Sequence, residues 1–351
     1  MNKIKIKSKI KSYEIIFKKV KKFKNEENCV FFIDYIFFKK NSFLFDKKIK
    51  KILIVANEKT KSFENLNKIF DKFFKLNPNR STTLVCVGGG VLQDVSAFIA
   101  SITFRGLNWI FYPTTLLAQG DSCIGGKTSI NYKGSKNQIG NFYPPNKIFI
   151  DTNFLNTLKK NDILSGYGEM AHYYLLSSFK EQVFFKKRTD EILKNKKFNL
   201  KKTIKNCLGI KKKFIEKDEF DNGKRLLLNY GHSFGHALEK YTNYKVPHGL
   251  AVSIGLDLAN YISYKKKYLD KENYLFMKSI LASINKKIFI KNFNNLKFLN
   301  YLEKDKKNTQ NHFGVILTRG PKKAFFLKIS KKDKNFQNFI NEYFYKKEIN
   351  R

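Results

Sequence analysis

Five histidines occur in the 351 residues, and three of them, His232, His236 and His248, fall within a window of twenty. The window reads Asn229-Tyr-Gly-His-Ser-Phe-Gly-His236, with Pro247-His248-Gly249 at its far end. His232 and His236 stand four apart, so on a helix both imidazoles project from one face. His232 and His248 are far enough apart to sit on different elements and converge on one ion. Two neutral imidazoles plus one carboxylate, with a position left open, is the usual form of a catalytic zinc site. A lone HxxxH is more often a polar patch on a helix. The third histidine, the flanking glycines and the motifs upstream reverse that balance.

Two kinds of element must position these groups. Residues 1–60 read as short strands: Ile4 to Ile10, Tyr13 to Phe17, Val30 to Ile33 and Lys51 to Val55. Apolar runs bounded by Asn, Asp and Lys suit buried strands. Ser62 to Phe74 has helical spacing, with Ser62 placed to cap it. Thr83 to Val87 then runs into Gly88-Gly89-Gly90 and a helical Val91 to Ile102. Strand, glycine turn and helix together make a phosphate cradle, although a simple tight turn has the same glycines. Trp109 to Tyr112 reads as a strand, and residues 121–151 as a long functional loop rich in Gly, Lys, Asn and Ser. Within it Lys127, Lys133, Lys136 and Asn137 could surround a phosphate.

From about residue 152 helical periodicity dominates, over 153–159, 162–178, 180–194, 199–217, 225–241, 248–268, 271–285 and 335–347. A small hairpin of Gly314 to Leu317 with Ala324 to Leu327 is the exception. The expectation is an α/β, Rossmann-like domain over 1–151 and a mainly α-helical metal- and substrate-binding domain over 152–351. The cleft between two such domains is a preferred place for a small-molecule site.

Hydrophobic residues at 42% and aromatics at 15% argue against disorder, despite a formal charge of +40. Only six of the 69 basic residues are Arg, leaving 63 Lys spread along the chain. Base readers and phosphate clamps lean on Arg forks, so the charge points to collecting anionic substrates rather than nucleic acid. Cys29, Cys86, Cys123 and Cys207 form no CxxC pair, which excludes a cysteine zinc module and gives no disulfide framework. No apolar run reaches the roughly 18–20 residues of a membrane span, and the alternating first residues hold no signal-peptide core. A reducing cytoplasm is the expected setting.

The order of motifs resembles 3-dehydroquinate synthase, a sugar-phosphate cyclase family of the shikimate pathway. The resemblance covers about residues 50–320 and lies in GGGVLQD (88–94), RG (105–106), PTTLLAQGDSCIGGKTSIN (113–131), KNQIG (136–140), GEM (168–170), RLLLNYGHSFGH (225–236), PHG (247–249) and DKK (305–307). It implies Glu169, His232 and His248 as ligands of Zn2+, Co2+ or another divalent metal. It implies NAD against Gly88, Gly89, Gly90, Asp94, Thr114 and Thr115, with Glu58 and Lys61 as the family's E-x-x-K pair and Asp34 toward the adenosine ribose. Asp121, Lys127, Lys136 and Asn137 would line the seam between cofactor and substrate. Lys211, Arg225, Asn229, His236 and Lys306 or Lys307 match substrate-binding positions. Arg105 matches an arginine that reaches the neighbouring subunit's site, which implies a homodimer. The implied reaction is a phosphate-eliminating cyclisation of a phosphorylated sugar acid, with NAD regenerated each turn.

Two positions depart from the family pattern. His172 stands where the family has a lysine three residues after the ligand glutamate, and Gln93 replaces the glycine before Asp94. These departures keep cyclases of carboxylate-free sugars, such as sedoheptulose 7-phosphate, as an alternative. A metal-dependent alcohol dehydrogenase on the same two-domain plan would not require Lys127, Lys136, Asn137 and Arg225. A nucleic-acid binder leaves the histidines unexplained. A substrate carboxylate calls for a cationic clamp, and Lys211 with Arg225 supplies one.

Overall fold

The run Thr83-Leu-Val-Cys-Val is apolar on both faces, as a strand covered on two sides must be. In a computed structural model, which describes residues 2–193, 200–285, 288–305 and 307–349, it lies inside a sheet of seven strands. The strands are β1 (Lys3–Ile6), β2 (Tyr13–Phe17), β3 (Cys29–Asp34), β4 (Lys51–Ile54), β5 (Thr83–Gly88), β6 (Asn108–Pro113) and β9 (Lys147–Ile150), with β7 (Ile130–Tyr132) and β8 (Ser135–Ile139) forming a separate hairpin. Their order is β1-β2-β9-β6-β5-β3-β4, parallel except for the β1–β2 pair. Three helices join this unit: α1 (Tyr35–Asn41), α2 (Phe63–Phe74) and α3 (Gly90–Ile102). Phe23, Phe31, Phe37, Phe45 and Phe154 fill one side with edge-on and stacked rings.

The chain separates into Met1–Lys159 with Ile215–Phe220, and Lys160–Phe214 with Asp221–Arg351. The division therefore falls at 159/160 where the sequence suggested 151/152, because the turn Thr152–Thr157 is held by Asp151 and packs Phe154 into the first unit. The segment 215–220 also belongs there. Glu216 accepts from the Lys7 backbone N–H at 2.7 Å, and Glu219 accepts from Lys9 N–H at 2.6 Å and Ser8 Oγ at 2.5 Å. Those bonds end β1 at Ile6, short of the expected Ile10.

The second unit contains α4 (Lys160–Leu175), α5 (Phe179–Leu193), α6 (Leu200–Ile215, whose last residue falls in the first unit), α7 (His232–Tyr241), α8 (His248–Lys265), α9 (Lys271–Asn285), α10 (Asn295–Leu302) and α11 (Lys334–Ile349), with a hairpin of β10 (His312–Thr318) and β11 (Ala324–Ser330). Helix α8 is buried without a break from Gly249 to Ser263, and α4 from Leu164 to Leu175. A helix apolar on every side belongs in the middle of a core, and α8 packs against α4, α7 and α9. Among the described residues no helix is long and apolar enough to cross a membrane.

Three further sequence expectations change. The span 121–151 holds the β7–β8 hairpin and strand β9, which sits between β2 and β6. Its apolar run, Ile148-Phe149-Ile150, is too short for periodicity to register after two prolines. The expected helix 225–241 is two pieces, a 3₁₀ turn Lys224–Asn229 and then α7. Ser62 does precede α2, yet its Oγ accepts from Asn65 Nδ2 at 2.8 Å and caps no backbone N–H.

Candidate active site

The break before α7 has a steric cause. Gly231 has φ +79°, and a Cβ there would lie 2.8 Å from Leu256 N, so the turn passes where no side chain fits. The new helix opens on His232. Helix α8 likewise opens on His248, behind Pro247, whose carbonyl accepts from Ala251 N–H at 2.9 Å. Glu169 comes from the buried stretch of α4 and is 3% exposed.

These three side chains meet. Glu169 Oε1 lies 3.3 Å from His232 Nε2, and Glu169 Oε2 lies 3.3 Å from His248 Nε2. Bonds of about 2.0–2.1 Å from a tetrahedral ion to nitrogen and oxygen would separate neighbouring donors by about 3.3 Å. The donor atoms of all three lie within 4.8 Å of one another, so the set fits one divalent ion. Each histidine turns its Nδ1 away from the cluster: His232 to the Tyr230 carbonyl at 3.2 Å, His248 to Glu239 Oε2 at 3.0 Å. Burial by itself would raise the Glu169 carboxyl, but the charges of His232 and His248 outweigh it and hold the group well below its usual range. Burial would lower His248, and Glu169 together with Glu239 holds it well above the ordinary histidine value.

His236 shares the face of α7 with His232, their ring centroids 5.6 Å apart, and stacks on His248 at 5.7 Å. Burial first, then the neighbouring His232 and His248, pushes it well below the ordinary value, so it is uncharged at neutral pH. Its Nδ1 is 4.0 Å from Asp305 Oδ2, and Lys307 Nζ pairs with Asp305 Oδ1 at 2.7 Å. Lys306 lies outside the described residues. His172 is buried behind the carboxylate, its Nδ1 3.8 Å from Glu169 Oε1, and stands outside the three-residue cluster. Lys211 and Arg225 are both buried, Lys211 with Nζ 5.9 Å from the Tyr173 ring centroid. Asn229 donates to the Leu226 carbonyl at 3.0 Å.

In the α/β unit the glycine turn leads into α3, whose N-cap Gly89 offers no side-chain bond to the first N–H groups. A helix start of this kind receives phosphate, and a Cβ at Gly89 would stand 2.9 Å from Thr115 Cγ2. Thr114 N–H donates to the Gly88 carbonyl at 2.9 Å, fixing the next strand's end beside the turn. Lys61 Nζ reaches Asp94 Oδ2 at 2.5 Å and Asn137 Oδ1 at 2.6 Å. Burial raises the Asp94 carboxyl, against the opposing pull of Lys61. Glu58 accepts from Asn131 Nδ2 at 2.8 Å, and Lys136 Nζ is 3.3 Å from its other oxygen. Asp34 caps α1, accepting from Phe37 N–H at 2.8 Å, and burial raises its carboxyl despite that bond. Asp121 is half-buried in the turn Ala118–Ser122, while Lys127 and Arg105 are exposed. The cradle has the chemistry a dinucleotide requires: open N–H groups at a helix start and acidic groups at strand ends.

Gln93 has a task in this arrangement. Its Nε2 donates to the Ser122 carbonyl at 2.7 Å and its Oε1 accepts from Ser122 Oγ at 2.6 Å, tying α3 to the turn that carries Asp121. Sequence reasoning missed Glu239, Asp305, Ser129 and Asn131. For Glu239 a signal existed, since it follows His236 by three residues on the same helix face.

Residues 51–165 match the family model for the N-terminal part of 3-dehydroquinate synthase, and residues 166–308 match the model for its C-terminal part. The chain belongs to the 3-dehydroquinate synthase family. It is 36% identical to the 3-dehydroquinate synthase of Pelagibacter ubique, over 90% of this chain and 92% of that one. The fold is similar to 2-deoxy-scyllo-inosose synthase complexed with carbaglucose-6-phosphate, NAD+ and Co2+, at TM-score 0.80 and 21% identity over 98% of this chain and all of that one. It is also similar to 2-epi-5-epi-valiolone synthase from Streptomyces hygroscopicus with NAD+ and Zn2+ bound, at TM-score 0.81 and 19% identity over 96% of both chains. The expected fold class, an α/β unit followed by a mainly helical one, is that of this family.

Proposed function

We propose that the chain converts 3-deoxy-D-arabino-heptulosonate 7-phosphate to 3-dehydroquinate and phosphate, as a NAD- and metal-dependent lyase of the shikimate pathway. The observation that carries this reading is the cluster of Glu169, His232 and His248, set on three helices of a family whose members bear that name. Bound NAD would supply a hydride acceptor regenerated each turn, and a divalent ion would polarise the oxygen at the carbon being oxidised.

The chain's own residues position and protonate. Glu169, His232 and His248 hold the ion. Gly88, Gly89, Gly90, Asp94, Thr114 and Thr115 hold the dinucleotide, with Asp34, Glu58, Lys61, Asp121 and Lys136 around it. Lys211 and Arg225, two buried cations, bind the substrate carboxylate. Lys127, Asn137, Asn229 and Lys306 or Lys307 bind phosphate and hydroxyl oxygens. His236, uncharged at neutral pH, is suited to take and return a proton at a ring nitrogen. With NAD and the ion bound, oxidation would acidify the C–H of the carbon next to the oxidised one, phosphate would leave by β-elimination from the carbon beyond it, and after re-reduction the ring would open and an aldol closure would form the carbocycle. The reading includes a cytoplasmic homodimer in which the exposed Arg105 serves the neighbouring subunit's site.

The deciding experiment is phosphate release by the zinc- and NAD-loaded protein, with the heptulosonate phosphate and sedoheptulose 7-phosphate offered in parallel and the carbocycle weighed by mass. Turnover of the first alone is expected. Turnover of the second alone would overturn the substrate assignment and give His172, the departure beside Glu169, the meaning of a pocket built for another sugar.

A further inference from the structure

Resting on the metal reading above, we infer that Glu239 is the positioning residue of the metal centre, fixing the ring of His248 so that Nε2 is presented to the ion. His248 Nδ1 lies 3.0 Å from Glu239 Oε2, and His248 Nε2 lies 3.3 Å from Glu169 Oε2. The two nitrogens of one ring therefore face two carboxylates. An imidazole that ligates through Nε2 must carry its proton on Nδ1, and a carboxylate at hydrogen-bond distance there sets both tautomer and ring angle.

The arrangement follows from the fold. Glu239 belongs to α7, two turns after His232, so the helix that carries one ligand also reaches across to orient another. Glu239 is 7% exposed, and a buried carboxylate is held in place only where a charged or donating partner compensates its lost hydration. For His232 the same task falls to a backbone acceptor, the Tyr230 carbonyl at 3.2 Å, which no side-chain substitution removes. Glu239 is thus the orienting group open to mutation. A second arrangement uses the same atoms: His236, Glu239 and His248 also lie within ligating distance of one another, as three direct ligands of an ion. Orientation is the better account, because His248 Nε2 is committed to the Glu169 cluster and its Nδ1 stands at hydrogen-bond distance from Glu239.

The test measures zinc affinity by chelator competition, zinc stoichiometry, and the imidazole nitrogen resonances of histidine-labelled protein. In Glu239→Ala the zinc dissociation constant should rise about 10–100-fold with stoichiometry still one per chain. The Nδ1–H signal of His248 should lose its hydrogen-bonded shift. Glu239→Gln keeps the shape and an acceptor oxygen without the charge, should fall between the two, and replaces the alanine variant if that one does not fold. Unchanged affinity in both variants overturns the inference. Two zinc ions in the parent and one in Glu239→Ala also overturn it, by making Glu239 a direct ligand. Full zinc retention by His232→Ala and His248→Ala would instead sink the underlying metal reading.

Discussion

Gly249 lies against Ser165 so closely that a Cβ on Gly249 would stand 1.8 Å from the Ser165 carbonyl oxygen. One helical turn along the same contact, a Cβ on Gly168 would stand 2.1 Å from the Gly249 carbonyl oxygen. These glycines immediately precede Glu169 and follow His248, so two members of the candidate metal cluster sit where the backbones of α4 and α8 come together. A side chain at either position must push the helices apart and part Glu169 from His248 with them. Gly249→Ala should destabilise the protein by about 3 kcal/mol or more and weaken zinc binding in the fraction that folds. Thermal unfolding with and without zinc checks this, and an unchanged midpoint in both would mean that the helices yield there.

Zinc affinity should rise with pH. His248 is held protonated in the metal-free protein because its value lies well above the ordinary one, and the ion must displace that proton. Affinity should climb about tenfold per pH unit up to the raised value and flatten beyond it. In the metal-free protein the same shift contributes stability that is present below the unfolded value and lost as pH rises through the folded one. Titration calorimetry in buffers of different ionisation enthalpy would count the released proton. A pH-independent affinity would contradict the pairing.

Asp34→Asn should separate folding from cofactor binding. Asn caps a helix as well as Asp, and the carboxyl's value is raised by burial, so its contribution to stability is lost as pH rises through that value. At pH 7 the variant should be at least as stable as the parent. NAD binding should weaken about tenfold if Asp34 meets the ribose hydroxyls, whereas an unchanged NAD dissociation constant would remove Asp34 from the cofactor set.

Arg225→Ala should lower kcat/KM for the carboxylate-bearing sugar by about 100-fold or more, since a buried charge partner is lost. Inorganic phosphate, which has no carboxylate, should inhibit the variant and the parent equally. A matching loss of phosphate inhibition would assign Arg225 to the phosphate.

His172→Lys should keep or raise activity on the heptulosonate phosphate. Collapse of activity would show instead that the buried ring beside Glu169 and His232 is required where it stands.

Of the candidate metal cluster, His232 and His248 were legible from their spacing and Glu169 through the GEM motif of the family resemblance, and the structure brings the three sets of donor atoms together. The break at Gly231 was not legible, since its cause is the backbone of Leu256, distant in sequence. Strand β9 was hidden by its shortness, and Glu239 was passed over despite sharing a helix face with His236, because a glutamate on a helix reads as solvated until its partner is known. The departure at Gln93 acquired a purpose only when Ser122 was found within reach of both its amide atoms.

The return of residues 215–220 to the α/β unit bears on how the chain is made and cut. As the polypeptide emerges from the ribosome, the first unit is missing a piece until residue 220 is out, by which point α4, α5 and α6 have been synthesised. Until then the amides of Lys7 and Lys9 lack the carboxylates of Glu216 and Glu219. A fragment ending at Lys159 should therefore express with a frayed first strand, and the two units are better exchanged between relatives together with 215–220 than cut at a single point.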